Sequence, residues 1–232
     1  PETYIIYLKN NVKFHNGITL TAEDVKYTYN SVLDPAVASP HKALFEKIKD
    51  IEINDKYKLT IKLKEPFSPF LLSLTFGIIP KEVGEKTGKD FSKTPIGSGP
   101  FKYLETTEEG NVILAKNDDY YGQKAKLDKI TFKYVPDVTV RMLEMMKKSA
   151  HIAHHNIPIN LLTELDSKEG INVEYTPGIG CVYLGFNLKD PTLNKIQVRQ
   201  AIAYAINRES IIKNKLMGRA KSATGLLSPQ SW

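Results

Sequence analysis

The chain has 232 residues, of which 41% are hydrophobic and 25% charged, a balance typical of globular proteins with one or two domains. Its formal net charge is +6, but the basic residues are mostly scattered lysines rather than a clustered stripe, which argues against nucleic-acid binding. The single cysteine, Cys181, excludes an internal disulfide and any metal site with several cysteine ligands. No apolar run approaches the ~20 residues that a membrane-spanning helix needs.

The first predicted elements are an extended segment, a turn and a helix. Residues 2–14 are rich in β-branched and aromatic side chains, which favour strands. Asn16-Gly17 follows as a tight-turn signal. Thr21 with Asp24 three residues later is the pattern of a capped helix start, and Asp34-Pro35 ends that helix.

The acidic pair Glu23 and Asp24 lies close to His15 in the sequence and resembles a reactive cluster. Carboxylates are favoured at a helix N-terminus, however, because they accept hydrogen bonds from free N–H groups and complement the helix dipole. We therefore interpret the pair as structural. His15 is predicted to be a surface or edge-strand residue and not a ligand.

The middle of the chain contains two hairpin patterns. Residues 48–67 alternate apolar and polar side chains around Asn54-Asp55, and residues 101–117 do so around Glu109-Gly110. Between them, residues 94–101 are dense in proline and glycine. This stretch predicts a loop that changes direction and crosses between subdomains.

The last part of the chain alternates strand and helix patterns. A strand is predicted at 130–135, followed by a helix capped by Asp137 whose methionines form part of the core. Strands are predicted again at 172–177 and 181–187, and two helices follow, the second capped by Asn207. The whole pattern predicts a mixed α+β fold.

A histidine cluster is the sharpest candidate for a metal site. His151, His154 and His155 lie within five positions, and imidazoles are common ligands of transition metals. A strand-to-loop conformation would send His154 and His155 to opposite faces, and no Asp, Glu or Cys completes the set. Lining a polar ligand cleft is favoured over metal binding for this cluster, so no metal ligand and no cofactor are predicted.

Catalytic signatures are missing from the sequence. It contains no G-x-S-x-G elbow, no H-E-x-x-H and no phosphate-binding G-x-x-x-x-G-K-[ST] loop. Asp118-Asp119 occupies a polar turn, where solvated carboxylates are the default interpretation. We predict that the protein is not an enzyme, with a hydrolase completed by segments absent from this chain as the alternative.

Three separated stretches together resemble the bacterial extracellular solute-binding proteins of the peptide/nickel class, family five. They are VKFHNGITLTAEDVKYTYNSVLDP, TPIGSGPFKYLETTEEGNVILAKNDDYYG and YLGFNLKDPTLNKIQVRQAIAYAINRESIIKNKLMGRA. Ser98, Tyr121 and Asn207 differ from the residues usual in that family but preserve size or capping chemistry. A G-E-x-D pattern that normally follows the methionine-bearing helix is replaced by KKSAHIAH, which puts the ligand in doubt.

The resemblance implies a fold of the periplasmic-binding-protein type, with two lobes on a hinge and a subdomain inserted in the first lobe. Residues 1–93 would form the inserted subdomain, 94–185 the core of the first lobe, and 186–232 the start of an incomplete second lobe. Both ends of the chain look truncated, because Pro1 lies inside a strand-like pattern and Trp232 follows a loop.

The resemblance also implies a function without chemistry. The full-length protein would capture oligopeptides or dipeptides outside the cytoplasmic membrane, anchored by a lipid, and deliver them to an ABC permease. The ligand-binding residues that it nominates are His155, Asn156, Tyr183 and Asn187, with Gly178 and Gly180 giving hinge freedom or a close backbone approach. The alternatives are a nickel-chelate or other small-solute binder, and a truncated scaffold or interaction module that binds no solute.

Overall fold

The structure is a computed structural model that describes residues 1–154, 157–176, 178 and 180–225. The chain divides into two compact units, one from Pro1 to Tyr134 and one from Val135 onward. The first contains two antiparallel sheets with helices, and helices and irregular segments make up the described part of the second. The mixed fold class is therefore confirmed. The predicted boundaries near residues 93 and 185 concern lobes and stay predictions.

The first unit begins with a three-stranded antiparallel sheet in the order β1-β3-β2. Its strands are β1 (Thr3–Tyr7), β2 (Ile48–Asp55) and β3 (Lys58–Leu63). The predicted hairpin is confirmed, although its turn lies at Lys56 and Tyr57, just beyond Asn54-Asp55. The Asp55 carboxylate accepts a hydrogen bond from the Tyr57 N–H at 2.7 Å, which is how aspartate stabilises a turn.

Helix α1 (Ala22–Leu33) begins after Thr21 and ends before Asp34, as predicted. The N–H and the hydroxyl of Thr21 both donate to Asp24 Oδ2, at 2.8 and 2.9 Å. The other oxygen of Asp24 accepts from the backbone N–H of Lys81 at 2.8 Å. Lys81 is the first residue of α3 (Lys81–Thr87), so one buried carboxylate joins the starts of two helices.

The core of the first unit lies between α1 and this sheet. Val25, Tyr29 and Val32 of α1 are buried against strand residues that include Leu59 and Ile61. The ring of Tyr29 stacks on that of Phe45 with centroids 4.7 Å apart. Since each fully buried large apolar side chain contributes about 1.5–3 kcal/mol, this cluster holds the unit together.

The second sheet of the first unit is a meander in the order β4-β5-β6. Its strands are β4 (Phe101–Thr106), β5 (Val112–Lys116) and β6 (Lys129–Phe132). The predicted hairpin at 101–117 is confirmed, and the predicted strand at 130–135 is shorter than expected. The remaining elements are short: α2 (Phe70–Ser73) and 3₁₀ turns at Lys42–Leu44 and Gly88–Lys93.

The described part of the second unit contains four α-helices. They are α4 (Val138–Met146), α5 (Ile159–Asp166), α6 (Ile196–Ala205) and α7 (Arg208–Ser210), with a π-helical turn at Ile211–Lys215. Both predicted caps are confirmed, since Asp137 and Asn207 each accept a backbone N–H through Oδ1 at 2.8 Å. Met142 is buried, as expected for a core methionine.

The strands predicted at 172–177 and 181–187 are wrong for the residues that the structure describes. Residues 172–176 and 181–187 belong to neither helix nor strand. Residues with high strand propensity favour an extended backbone, but a strand forms only where another strand pairs with it through hydrogen bonds. The sequence shows the preference and not the partner.

Candidate functional site

The structure describes two of the four nominated ligand-binding residues. His155 and Asn156 lie outside the described residues. Tyr183 and Asn187 lie four positions apart in the same irregular stretch. Tyr183 is 73% exposed. Asn187 begins a turn, because its Oδ1 accepts from the N–H of Lys189 at 3.1 Å, so its side-chain oxygen is already engaged.

The stretch around Tyr183 exposes an unusual amount of apolar surface. We call residues 181–188 the 181–188 segment. Val182 is 100% exposed, and Leu184 and Leu188 are each more than half exposed. Single exposed apolar residues are ordinary, but a contiguous exposed apolar surface is typical of interaction sites and ligand-binding grooves.

The start of the 181–188 segment lies beside the last described residues of the chain. Cys181 is a half-buried free thiol, and its Sγ lies 4.0 Å from the carbonyl oxygen of Gly225. This half-buried position suits a cysteine that acts as a small apolar side chain. No metal or base function is needed to explain it.

Elsewhere in the second unit, three side chains form a compact polar group that no sequence motif indicated. Asp166 Oδ2 accepts hydrogen bonds from the Tyr175 hydroxyl at 2.6 Å and from Arg219 Nη2 at 2.8 Å. These two donors, Tyr175 first, lower the pKa of the Asp166 carboxyl. The guanidinium carbon of Arg219 lies 4.3 Å from the centre of the Tyr175 ring. No sequence signal links positions so far apart.

A second polar group fastens the proline- and glycine-rich loop in the first unit. His15 is half-buried, and its Nε2 lies 3.1 Å from the carbonyl oxygen of Gly99. The N–H of Gly97 donates to His15 Nδ1 at 3.2 Å. This differs from the predicted surface or edge-strand position, because a contact across more than eighty residues leaves no local pattern. The interpretation that His15 is not a ligand is untouched.

The histidine cluster receives no support as a metal site from the residues that can be placed. Within the described ranges, no group of three or more His, Cys, Asp or Glu side chains could hold a metal ion. His151 is exposed, and His155 lies outside the described residues. Across the same ranges, no helix is long and apolar enough to cross a membrane.

The comparison with protein families identifies the class of the chain. It belongs to the bacterial extracellular solute-binding proteins, family 5, whose middle-region model matches residues 1–232. The family predicted from the three sequence stretches is thus confirmed.

Several characterised relatives are similar over nearly the whole chain. The oligopeptide-binding protein AppA of Bacillus subtilis is 30% identical over 238 residues, which are 99% of this chain and 44% of AppA. The glutathione-binding protein GsiB of Escherichia coli is 31% identical over 232 residues, 98% of this chain and 45% of GsiB. The chain therefore spans about half the length of the curated relatives that it matches.

Solved structures show the same fold. The structure of AppA in complex with a nonapeptide matches with a TM-score of 0.83 at 30% identity, covering 100% of this chain and 47% of AppA. NikZ from Campylobacter jejuni, in complex with Ni(L-His), matches with a TM-score of 0.82 at 28% identity, covering 96% of this chain and 45% of NikZ. The chain thus has part of the two-lobe periplasmic-binding-protein fold, as predicted.

Proposed function

We propose that the full-length protein is the extracytoplasmic solute-binding component of an ABC importer and captures oligopeptides or dipeptides for a membrane permease. Membership of family 5 over residues 1–232 supports this proposal, and so does the similarity to the oligopeptide-binding protein AppA. In the lobe division that we propose, residues 1–93 are the inserted subdomain, 94–185 the first lobe and 186–232 the start of the second. A lipid anchor in the full-length protein is part of the same proposal.

The observation that carries the proposal is the exposure of the 181–188 segment. Its residues lie outside any strand, and Val182 and Tyr183 are 100% and 73% exposed. A peptide can add to such a chain by main-chain hydrogen bonds, while its side chains fill roomy pockets. The Tyr183 ring supplies apolar contact area together with a hydroxyl for hydrogen bonding. Binding of this kind requires no catalytic residue.

A nickel chelate is the second candidate ligand. NikZ, whose structure was solved with Ni(L-His), is 28% identical to this chain, and AppA is 30% identical. So small a difference in identity does not rank the two ligand classes. His151 and His154, with the neighbouring His155, are the residues that would line a site for the chelate. A scaffold that binds no solute is the third possibility.

Isothermal calorimetry of the full-length protein separates these candidates. We expect heat with a mixed library of short peptides and none with nickel plus histidine. Tyr183→Ala should weaken peptide binding. Tyr7→Ala is the matched control, because Tyr7 is equally exposed, at 72%, but lies on β1. Heat only with nickel plus histidine would favour the chelate, and heat with neither would favour the scaffold.

A further inference from the structure

The polar group formed by Asp166, Tyr175 and Arg219 links two residues that precede the 181–188 segment in the sequence with one that follows it. We call it the Asp166–Tyr175–Arg219 clamp. One carboxylate oxygen receives both the tyrosine hydroxyl and the guanidinium N–H. The guanidinium also lies over the tyrosine ring. Each of the three side chains therefore contacts the other two.

Such an arrangement is stiffer than an ordinary surface ion pair. A pair of long side chains joined at one point rotates freely, so exposed pairs contribute little. Here the planar guanidinium is oriented twice, by the hydrogen bond to Asp166 and by the face of the Tyr175 ring. The side chains of Arg219 and Asp166 are 26% and 37% exposed, so solvent only partly screens their charges.

The clamp joins Arg219 to two residues that lie more than forty positions earlier in the sequence. Asp166 is the last residue of α5, and Tyr175 precedes the 181–188 segment. Arg219 follows the π-helical turn and Gly218, whose φ of +74° favours glycine. A second contact joins the same elements, because the Thr163 hydroxyl of α5 lies 3.7 Å from the sulfur of Met217.

We propose that Asp166 and Arg219 are positioning residues for ligand capture, and this rests on the proposed function. Asp166 and Tyr175 precede the proposed lobe boundary near residue 185, and Arg219 follows it. The clamp therefore holds the two sides of the boundary together and keeps the 181–188 segment in one arrangement before the ligand arrives. Preorganisation of this kind raises affinity because less ordering is left to the binding step.

The test uses the full-length protein and two probes, Ala-Ala-Ala and its C-terminally amidated form. Arg219→Gln and Asp166→Asn should each raise the Kd about fivefold for both probes, since a smaller fraction of molecules is competent to bind. The double variant should raise the Kd by less than the product of the two single effects, because both variants remove the Asp166–Arg219 contact. Tyr175→Phe, which keeps the ring below Arg219, should have a smaller effect.

A matched control and two contrary outcomes complete the experiment. Glu52→Gln removes an ordinary surface ion pair with Lys62 on the sheet of the first unit and should leave the Kd unchanged. Unchanged Kd in folded clamp variants would overturn the positioning role. A loss confined to the free-carboxylate probe would overturn it too, because Arg219 would then contact the ligand directly. If the single variants at 166 and 219 do not fold, Tyr175→Phe decides. A wild-type protein that binds no peptide removes the proposed function itself.

Discussion

Nε2 of His15 lies 3.1 Å from the carbonyl oxygen of Gly99, and the same oxygen accepts a hydrogen bond from Asn117 Nδ2 at 2.9 Å. Since the Gly97 N–H donates to Nδ1 of His15, Nδ1 is an acceptor and the proton of the neutral ring is on Nε2. The His15 ring therefore donates a hydrogen bond to the carbonyl of Gly99 and accepts one from the N–H of Gly97. This contact fastens the loop at 94–100 to the residues before α1.

The contribution of His15 to stability should depend on pH. Burial lowers the pKa of His15, and the charge of Lys102 lowers it further, against an opposing effect of the Gly99 hydrogen bond. Because the folded protein favours the neutral ring, this contribution to stability is present above the ordinary pKa of 6.5. It is lost as the pH falls through the lowered value in the folded protein. The protection factor of the Gly97 amide, which corrects for the intrinsic pH dependence of amide exchange, should therefore fall in acid, as measured by hydrogen exchange with NMR.

Substitutions at His15 separate its chemistry from general acid effects. Glutamine has one acceptor and one donor and can satisfy Gly97 and Gly99 without titrating, so His15→Gln should remove most of the acid dependence at Gly97. His15→Ala should lower the free energy of unfolding by about 1–2 kcal/mol at neutral pH. An identical acid profile in wild type and His15→Gln would show that another group is responsible.

At the same contact, replacing Asn117 should lower the free energy of unfolding more than replacing His15 does. Its side chain is 2% exposed, donates to Gly99 and accepts the N–H of Asp119 at 3.2 Å. Asn117→Ala removes one of the two donors to the Gly99 carbonyl and the acceptor of the Asp119 N–H, and it should cost about 1–3 kcal/mol in chemical denaturation. Asn117→Asp should cost at least as much, because it places an acceptor against the Gly99 carbonyl. A loss below about 0.5 kcal/mol for both variants would contradict this.

Asp24 is predicted to stabilise two helix starts at once. Asp24→Ala removes the acceptor of the Thr21 and Lys81 N–H groups and should cost about 2 kcal/mol, the upper range for a lost cap. Glu23, its exposed neighbour, pairs with the side chain of Lys81, and Glu23→Ala should change the free energy of unfolding by less than about 1 kcal/mol. Equal losses of unfolding free energy in the two variants, measured by urea titration, would argue against a link between the two helix starts through the buried Asp24 carboxylate.

Replacing a large side chain by alanine should destabilise the protein in the core but have little effect in the 181–188 segment. Leu59 is fully buried, so Leu59→Ala should cost about 2–5 kcal/mol. Val182 is fully exposed, so Val182→Ala should leave the thermal midpoint of the ligand-free protein nearly unchanged. A large loss at Val182 would mean that the segment is packed in solution and is not free to receive a ligand.

The elements that sequence predicts well are those whose causes are local. Thr21 and Asp24 are three residues apart, and the caps at Asp137 and Asn207 act within one turn of their helices. The hairpin of β2 and β3 follows from alternation around a short turn. In each case the interacting residues are neighbours in the sequence, so the pattern contains both partners.

Contacts between residues that are distant in the sequence produce no local sequence pattern that contains both partners. The His15–Gly99 contact and the clamp between Asp166 and Arg219 join positions tens of residues apart. For the 181–188 segment, composition predicted extended chain, while strand formation depends on a partner that no local pattern specifies. Tyr183, which the family resemblance nominated, is exposed, and its role as a ligand contact stays a prediction. The roles of His155 and Asn156 stay predictions.

Hydrogen exchange of the full-length protein, with and without saturating short peptides, tests the central claim most directly. If the 181–188 segment captures the ligand, its amides should exchange more slowly when peptide is bound, while those of β2 and β3 stay unchanged. Protection that appears elsewhere, with none in residues 181–188 despite heat of binding in calorimetry, would contradict the account.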